Sequence, residues 1–240
     1  WWLHPFEKPG IESECGAKTE DEVIAALQEI IAKYPDRLII LAMHHPFHSN
    51  IIHGGYYTWK QHLFPLTDAN PDLYIPLPVI GSLYPFSRQW FGNVQDLNHP
   101  LYKNMIARIE AITKRHPNVV QVAGHDHTLQ FIKQDSSCFI VSATGSKSNR
   151  VKAGRDVLFS SKKNGFAVIE ILSDRSTRVN FYSTESTGLA NGLFTAALPS
   201  IPIKETATAF DYEKFPDSVT AIASSKFKSG GLRKLVFGKN

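Results

Sequence analysis

Near the start of the chain, apolar positions recur at helical spacing behind a polar run. Thr19 is followed three residues later by Glu22, which is the pattern of a capping box. The apolar positions behind this cap share one face of a helix: Val23, Ile24, Leu27, Ile30 and Ile31. Pro35 ends the predicted helix. The continuous apolar run at 38–42 then predicts a short strand that is covered on both faces.

The same order of patterns recurs further along the chain. A second helical pattern begins after Pro100 and stops near His116, and the apolar run at 119–123 predicts another buried strand. Helices that alternate with buried strands are typical of α/β proteins. After Thr128 only strand patterns remain, and their short links favour antiparallel pairing. These strands are predicted at 129–133, 139–142, 166–172 and 178–182.

Composition narrows the class of protein. The chain has 240 residues, of which 42% are hydrophobic and 20% charged, and this balance excludes disordered and fibrous proteins. The net charge of +4 is small and scattered, so it does not indicate a nucleic-acid partner. Two cysteines, Cys15 and Cys138, leave open whether they pair.

Three segments bear on what surrounds the domain. The chain opens on Trp1 and Trp2 without an initiator Met, which favours a fragment of a longer protein. The basic stretch 224–240 is predicted as a solvated linker or as a connection to a following part. The stretch 74–86 is unusually apolar for a loop. A lid, a lipid contact and packing against another part of the protein all stay open, and the last is favoured.

Histidines concentrate at the ends of the two predicted buried strands. They are His44, His45, His48 and His53 in one window, and His125 and His127 in the other. In open α/β sheets, ligands bind at the carboxyl ends of the strands. If the second window is extended, His125 and His127 point to one side, and Gly124 permits a sharp turn before them. Imidazoles bind Zn, Fe and Mn. The pattern therefore predicts a metal site, with hydrogen-bonded histidines as the alternative.

Two motifs resemble those of the calcineurin-like metallophosphoesterases, which include the purple acid phosphatases. They are Met43-His44-His45-Pro46 and Gly124-His125-Asp126-His127, and the stretch 139–146 resembles the strand and turn that follow the second. The resemblance covers most of residues 1–184. It implies an α/β fold that is half of a four-layer αββα sandwich with a mixed sheet. Residues 185–240 would then be a linker or extension towards a following region.

The resemblance also implies roles for individual histidines. His44 and His125 would bind one of two metal ions of the Zn, Fe or Mn class, and His127 would bind the other. His45 occupies a position that varies in the family and is not assigned as a ligand. His53 resembles the histidine that faces the leaving group, and His48 is a weaker candidate for that role. The implied reaction is metal-assisted hydrolysis of a phosphoester, with a proton passing to the leaving group.

The family's earlier motifs, which carry the bridging carboxylate, are absent from these 240 residues. The isolated chain is therefore expected to bind metal weakly and to be inactive, with the N-terminal half of the domain as its partner. Some similar proteins belong to the bacterial cell envelope, in the periplasm or outer membrane, and carry a following membrane-embedded β-barrel. The alternative function is a catalytically silent module that makes protein contacts in an envelope assembly.

Overall fold

Two β-sheets lie face to face, and two helices cover the outer side of one of them. The computed structural model describes residues 17, 19–51, 54–57, 59–68, 70, 72–83, 85–86, 96–145, 148–151, 154–185, 188–199 and 233–237. The helices are α1 (Glu20–Lys33), α2 (Trp59–Leu63) and α3 (Pro100–Thr113). The strands are β1 (Ile39–Met43), β2 (Val119–Ala123), β3 (Leu129–Gln134), β4 (Ser137–Ser142), β5 (Val157–Ser161), β6 (Gly165–Ile171), β7 (Thr177–Thr184), β8 (Ala190–Ala197) and β9 (Arg233–Phe237).

The first sheet is mixed and has the strand order β1-β2-β4-β3-β5. The β1, β2 and β4 strands run parallel to one another, whereas β3 pairs antiparallel with β4 and β5. The chain returns from β1 to β2 through α3. The last residues of the two strands are register partners, Met43 and Ala123, so β1 and β2 end at the same level. The predicted α/β class with a mixed sheet is confirmed at this level.

The second sheet is antiparallel, with the order β8-β7-β6-β9. Two of its strands come from the segment that the sequence analysis assigned to a linker or extension. Residues 190–197 of that segment form β8. The sheet therefore continues past residue 184.

Apolar side chains from both sheets form the main core between them. The first sheet contributes residues such as Phe131 and Ile140, and the second contributes Ile169 and Phe181, all of them fully buried. Burial of an aliphatic or aromatic side chain of this size stabilises the fold by about 1.5–3 kcal/mol. This interface between the sheets holds the strands that carry the histidine loops.

A second core lies between the first sheet and the helices. Tyr102, Met105 and Ile109 of α3 pack there against Phe139 of β4. The capping prediction for α1 is confirmed, because the backbone N–H of Glu22 donates to Thr19 Oγ1 at 3.2 Å. Three layers are thus described: helices, mixed sheet and antiparallel sheet.

The β1 strand differs from its prediction. We expected it to be covered on both faces, but Ala42 is exposed and the other four residues of the strand are half-buried. Its position explains the difference, because β1 is the edge strand of the sheet in the described part of the chain. Leu41 still contacts the helix-side core, and Ile40 contacts the core between the sheets.

The chain between β1 and α3 crosses a segment without periodic apolar positions. Its described residues form α2 and two short 3-10 turns, Pro65–Asp68 and Ile80–Ser82. Among the described residues, no helix combines the length and the apolar composition needed to cross a bilayer.

Candidate metal centre

Two loops leave the first sheet at the same edge. The backbone N–H of Gly124 donates to the carbonyl of His44 at 3.0 Å, which continues the β1–β2 ladder one residue beyond the strands. The loops that begin at His44 and at Gly124 therefore start side by side. Parallel pairing of β1 with β2 produces this juxtaposition, as expected for the carboxyl ends of adjacent strands.

Three imidazoles meet where the loops begin. His125 Nδ1 lies 3.2 Å from His44 Nε2, and the ring centroids of His45 and His125 are 4.1 Å apart. One ring nitrogen from each of the three residues lies within 4.8 Å of the others. We call His44, His45 and His125 the imidazole cluster. His44 is exposed and the other two rings are half-buried, so the cluster opens to solvent on one side.

The cluster has dimensions that suit one transition-metal ion. Nitrogens bound about 2.0–2.1 Å from a Zn²⁺ ion lie about 3.0–3.5 Å from one another. The separation of His44 Nε2 and His125 Nδ1 already falls in this range. Small rotations of the three rings would bring their nitrogens to one centre. The described residues of this group offer three imidazoles and no carboxylate, so they fit a single ion and do not by themselves define a second one.

The backbone of the second histidine loop is not extended. His125 has φ 65° and His127 has φ 43°, both in the left-handed region that side chains other than glycine rarely adopt. The expectation that these two residues point to one side by strand alternation is therefore wrong. A sharp turn does follow the strand, since the Asp126 N–H donates to the Gly124 carbonyl, but its positive φ value falls on His125 and not on Gly124. Residues in such conformations cost about 1–3 kcal/mol each and concentrate at functional sites.

A buried carboxylate lies inside this loop. Asp126 is fully buried, and its backbone N–H donates to the Gly124 carbonyl at 2.7 Å. Asn149 holds the loop from outside, with its Nδ2 donating to the Asp126 carbonyl at 3.3 Å. Burial, with a further contribution from the charge of Asp126, raises the pKa of Tyr102. Sequence reasoning missed Asp126, although its position between two histidines was a signal.

Gln130 joins the two histidine loops and was also missed. Its Oε1 accepts a hydrogen bond from the Asn50 N–H at 3.0 Å. Its Nε2 donates to Ser49 Oγ at 3.0 Å and to Thr128 Oγ1 at 2.7 Å. Because Gln130 is fully buried, these bonds fix the chain after His48 against the chain after His127. A polar residue at a core position of β3 was the available signal.

The remaining assigned residues lie in different surroundings. His127 is half-buried, and its Nδ1 lies 3.3 Å from the Ala143 carbonyl oxygen. It is not a member of the imidazole cluster, whereas His45, which was not assigned as a ligand, is one. His53, the candidate proton donor, lies outside the described residues. Cys15 does too, and Cys138 is a buried free thiol.

His48 faces a protein carboxylate instead of the cluster. Its Nε2 lies 2.5 Å from Glu110 Oε1, which accepts the hydrogen bond, and Gln134 Nε2 donates to its Nδ1 at 3.4 Å. Lys114 contacts the other oxygen of Glu110 at 2.9 Å. Burial alone would raise the pKa of Glu110, but the hydrogen bonds from His48 and Lys114 outweigh it and lower the pKa. We call the hydrogen-bonded His48 and Glu110 the His48–Glu110 pair.

Comparison with solved structures finds weak similarities, one of them to a Plasmodium protein. No family model matches the chain, and no curated protein matches it. Among solved structures, the chain is similar to GAP50, described as the anchor in the inner membrane complex of Plasmodium, with a TM-score of 0.44 and 18% sequence identity. The match covers 81% of this chain and 47% of that one, so the chain spans about half of the GAP50 chain.

Proposed function

We propose that this chain is part of a metal-dependent phosphoester hydrolase domain of the calcineurin-like metallophosphoesterase type. The observation that carries the proposal is the imidazole cluster, in which His44 and His125 come from two adjacent parallel strands and approach to 3.2 Å. The three described layers are compatible with the larger part of a four-layer αββα sandwich. The fourth layer belongs to the proposal.

Each residue of the site has a role in this proposal. His44 and His125 hold one ion, with His45 as an additional ligand or a neighbour that orients them. His127 serves a second ion together with carboxylates from the family's earlier motifs. When bound, two such ions would bind the phosphate oxygens and lower the pKa of a water molecule. The left-handed backbone at both histidines of the second loop supports a functional role, because such strain persists only where the surroundings enforce it.

Charge explains why we propose that the isolated chain is inactive. Three neutral imidazoles do not compensate the charge of a divalent ion, and the buried carboxylate of Asp126 is the acidic group that this loop adds. Most ligands of the first ion and the bridging carboxylate would come from the N-terminal half of the domain. In the complete protein we propose a cell-envelope location, a phosphoester substrate and His53 as the donor to the leaving group.

The composition of the cluster also favours a second function, a catalytically silent module that makes protein contacts. The observation that favours this second function is that the imidazole cluster contains no carboxylate. Silent and active forms differ in metal content and turnover of the complete protein. Hydrolysis of a simple aryl phosphate that depends on two bound ions supports the enzyme, whereas a metal-free, inactive complete protein supports the silent module.

The ligand assignment is tested on the 240-residue chain itself. Zn²⁺ affinity is measured by competition with a chromophoric chelator for the chain, for His44→Ala and for His125→Ala. Each substitution is expected to weaken binding by about 100-fold, since loss of even an outer partner of a metal ligand costs 10–100-fold. His116→Ala is the matched control, because this half-buried histidine follows α3 and is not a member of the cluster. Equal affinity in all four proteins would contradict the assignment.

A further inference from the structure

The segment between α2 and residue 86 exposes an unusual set of apolar side chains. Val79 is 84% exposed, Ile80 65% and Leu83 63%, and we call these three residues the apolar tip. Four more large apolar residues of the same segment are exposed: Leu73, Tyr74, Ile75 and Phe86. From residue 73 to residue 86 the sequence contains no Asp, Glu, Lys, Arg or His. Contiguous exposed apolar surface of this kind marks a contact surface.

The segment is held in place on α2. The Leu77 N–H donates to the Leu63 carbonyl at 2.8 Å, and His62 Nδ1 shares a hydrogen bond of 3.2 Å with the Ser82 hydroxyl. At Gly81 a Cβ atom would lie 2.4 Å from the His62 carbonyl oxygen, so only glycine permits this close approach. The apolar tip is thus presented by a fixed piece of backbone.

A strained turn places the most exposed residue at the end of the tip. Val79 has φ 68° and ψ −59°, and the Ile80 N–H donates to the Pro78 carbonyl at 2.8 Å. These values define a classic γ-turn with a β-branched residue at its centre, which is a rare and strained arrangement. The strain has no benefit for burial, because it turns Val79 towards solvent.

Most backbone N–H groups of the segment are already hydrogen-bonded. Pro76 and Pro78 have no N–H. Other N–H groups donate to backbone carbonyls: those of Leu73, Tyr74, Leu77, Ile80, Gly81, Ser82 and Leu83. Transfer of an unbonded backbone group out of water costs several kcal/mol in hydrocarbon. For these N–H groups that cost is avoided, which favours entry of the turn at residues 77–83 into an apolar medium.

The helix beneath the segment adds two groups suited to a membrane surface. Trp59 is 66% exposed, and the ammonium of Lys60 lies 5.9 Å from its ring. Tryptophan and tyrosine favour the interfacial region of bilayers, and each basic residue near an anionic surface adds about 1 kcal/mol of attraction. The net charge of +4 acts in the same direction.

We propose that the apolar tip inserts into the interfacial region of an anionic lipid bilayer and holds the domain at its surface. A protein partner is less suited to this segment. Protein interfaces combine apolar contact with about one hydrogen bond per 100–200 Å². The uncharged segment, with most of its N–H groups already used, offers few groups for such bonds. A bilayer favours apolar side chains and backbone N–H groups that are already bonded, and the segment has exposed apolar side chains and bonds for most of its N–H groups.

Vesicle co-sedimentation of the 240-residue chain tests the proposal. The vesicles contain phosphatidylcholine with a phosphatidylglycerol fraction, and pure phosphatidylcholine vesicles are compared. The triple variant Val79→Gly, Ile80→Ser, Leu83→Ser is expected to lower partitioning by at least tenfold, because each side chain loses favourable apolar transfer. Lys60→Gln is expected to lower partitioning to the anionic vesicles by about fivefold and to leave that to neutral vesicles unchanged.

The matched control replaces two apolar side chains that are exposed away from the segment, Ile30→Ser and Leu189→Ser. They are 52% and 65% exposed, and this variant is expected to bind vesicles as the parent does. Circular dichroism and melting curves establish that each variant is folded. Equal vesicle binding by the parent and the triple variant would overturn the proposal. Failure of the parent to bind would also overturn it, as would self-association through the tip in sedimentation velocity without lipid binding.

Discussion

The imidazole cluster and the His48–Glu110 pair both use histidines of the loop after β1, and they differ in what contacts the rings. In the imidazole cluster the rings contact one another edge-on or tilted, and the members follow two strands that end side by side. In the His48–Glu110 pair, a carboxylate and an amide occupy both ring nitrogens. The first group has the geometry of a ligand set, and the second has that of a structural hydrogen bond. Histidine density in the sequence alone does not separate them.

Ion-dependent stabilisation is the largest expected difference between the two groups. At a Zn²⁺ concentration about 100 times the dissociation constant, an ion bound only by the folded chain stabilises it by about 2.7 kcal/mol. For a chain of this size the melting temperature would rise by roughly 5–10 °C. His125→Asn should remove most of this rise, and His48→Gln should retain it. If His48→Gln abolished the rise as well, the distinction between the two groups would be lost.

Removal of Gln130 is expected to have the next largest effect, because it affects both loops at once. Gln130→Ala leaves the buried Asn50 N–H and two hydroxyls without their partner, which should destabilise the fold by about 2 kcal/mol. It should also weaken Zn²⁺ binding by about tenfold. Urea unfolding and chelator competition measure the two effects. Gln134→Ala is the control, since the hydrogen bonds of Gln134 go to His48 and Asp156 and not to the imidazole cluster. Loss of stability without any loss of affinity would limit Gln130 to a structural role.

The sequence predicted the elements whose burial is periodic. Both long helices and strands β2, β6 and β7 follow from the apolar pattern. The predicted apolar face of α1 is only partly correct, because Ile31 is buried but Ile30 is 52% exposed. It also indicated that two strands would bring histidines to one edge. The parallel pairing of β1 with β2 was indicated by the helix predicted between them, a pattern that is local in sequence.

Features that depend on loop closure were not predictable in the same way. His127, one of the two histidines with positive φ, has hydrogen-bond partners in Asn149 and Ala143, which lie well beyond it in the chain. The role of Gln130 depends on partners about 80 residues away. The β8 strand, whose sequence is rich in Ala, Asn, Gly and Thr, lacks apolar alternation and is fixed by its pairing with β7.

The His48–Glu110 pair should contribute a pH-dependent part of stability. The pKa of Glu110 is lowered in the folded chain, because the hydrogen bonds from His48 and Lys114 outweigh burial. The folded chain therefore gains stability above the unfolded-state pKa of about 4.3 and loses it as pH falls through the folded-state pKa. Glu110→Gln should cost about 1.5 kcal/mol near pH 7, and the gap should close in acid.

Urea unfolding of the parent and of Glu110→Gln across this pH range measures the gap. Glu29→Gln is the matched control, since this exposed glutamate of α1 should change stability little at any pH. A gap that stayed constant down to strongly acidic pH would show that the carboxylate charge of Glu110 is not what stabilises the pair.

The smallest expected effect concerns backbone strain, which is present at His125 and His127 and absent at His48. His127 has φ 43°, a region that glycine enters freely and alanine does not. His127→Gly should therefore be more stable than His127→Ala by about 1 kcal/mol. The opposite order is expected for His48, whose φ is not positive, because glycine there only adds flexibility to the unfolded chain. Thermal unfolding of the four variants without metal measures both differences. If alanine were the more stable residue at both positions, the loop would be unstrained, and the backbone conformation of the Gly124-His125-Asp126-His127 loop would then no longer support a site there.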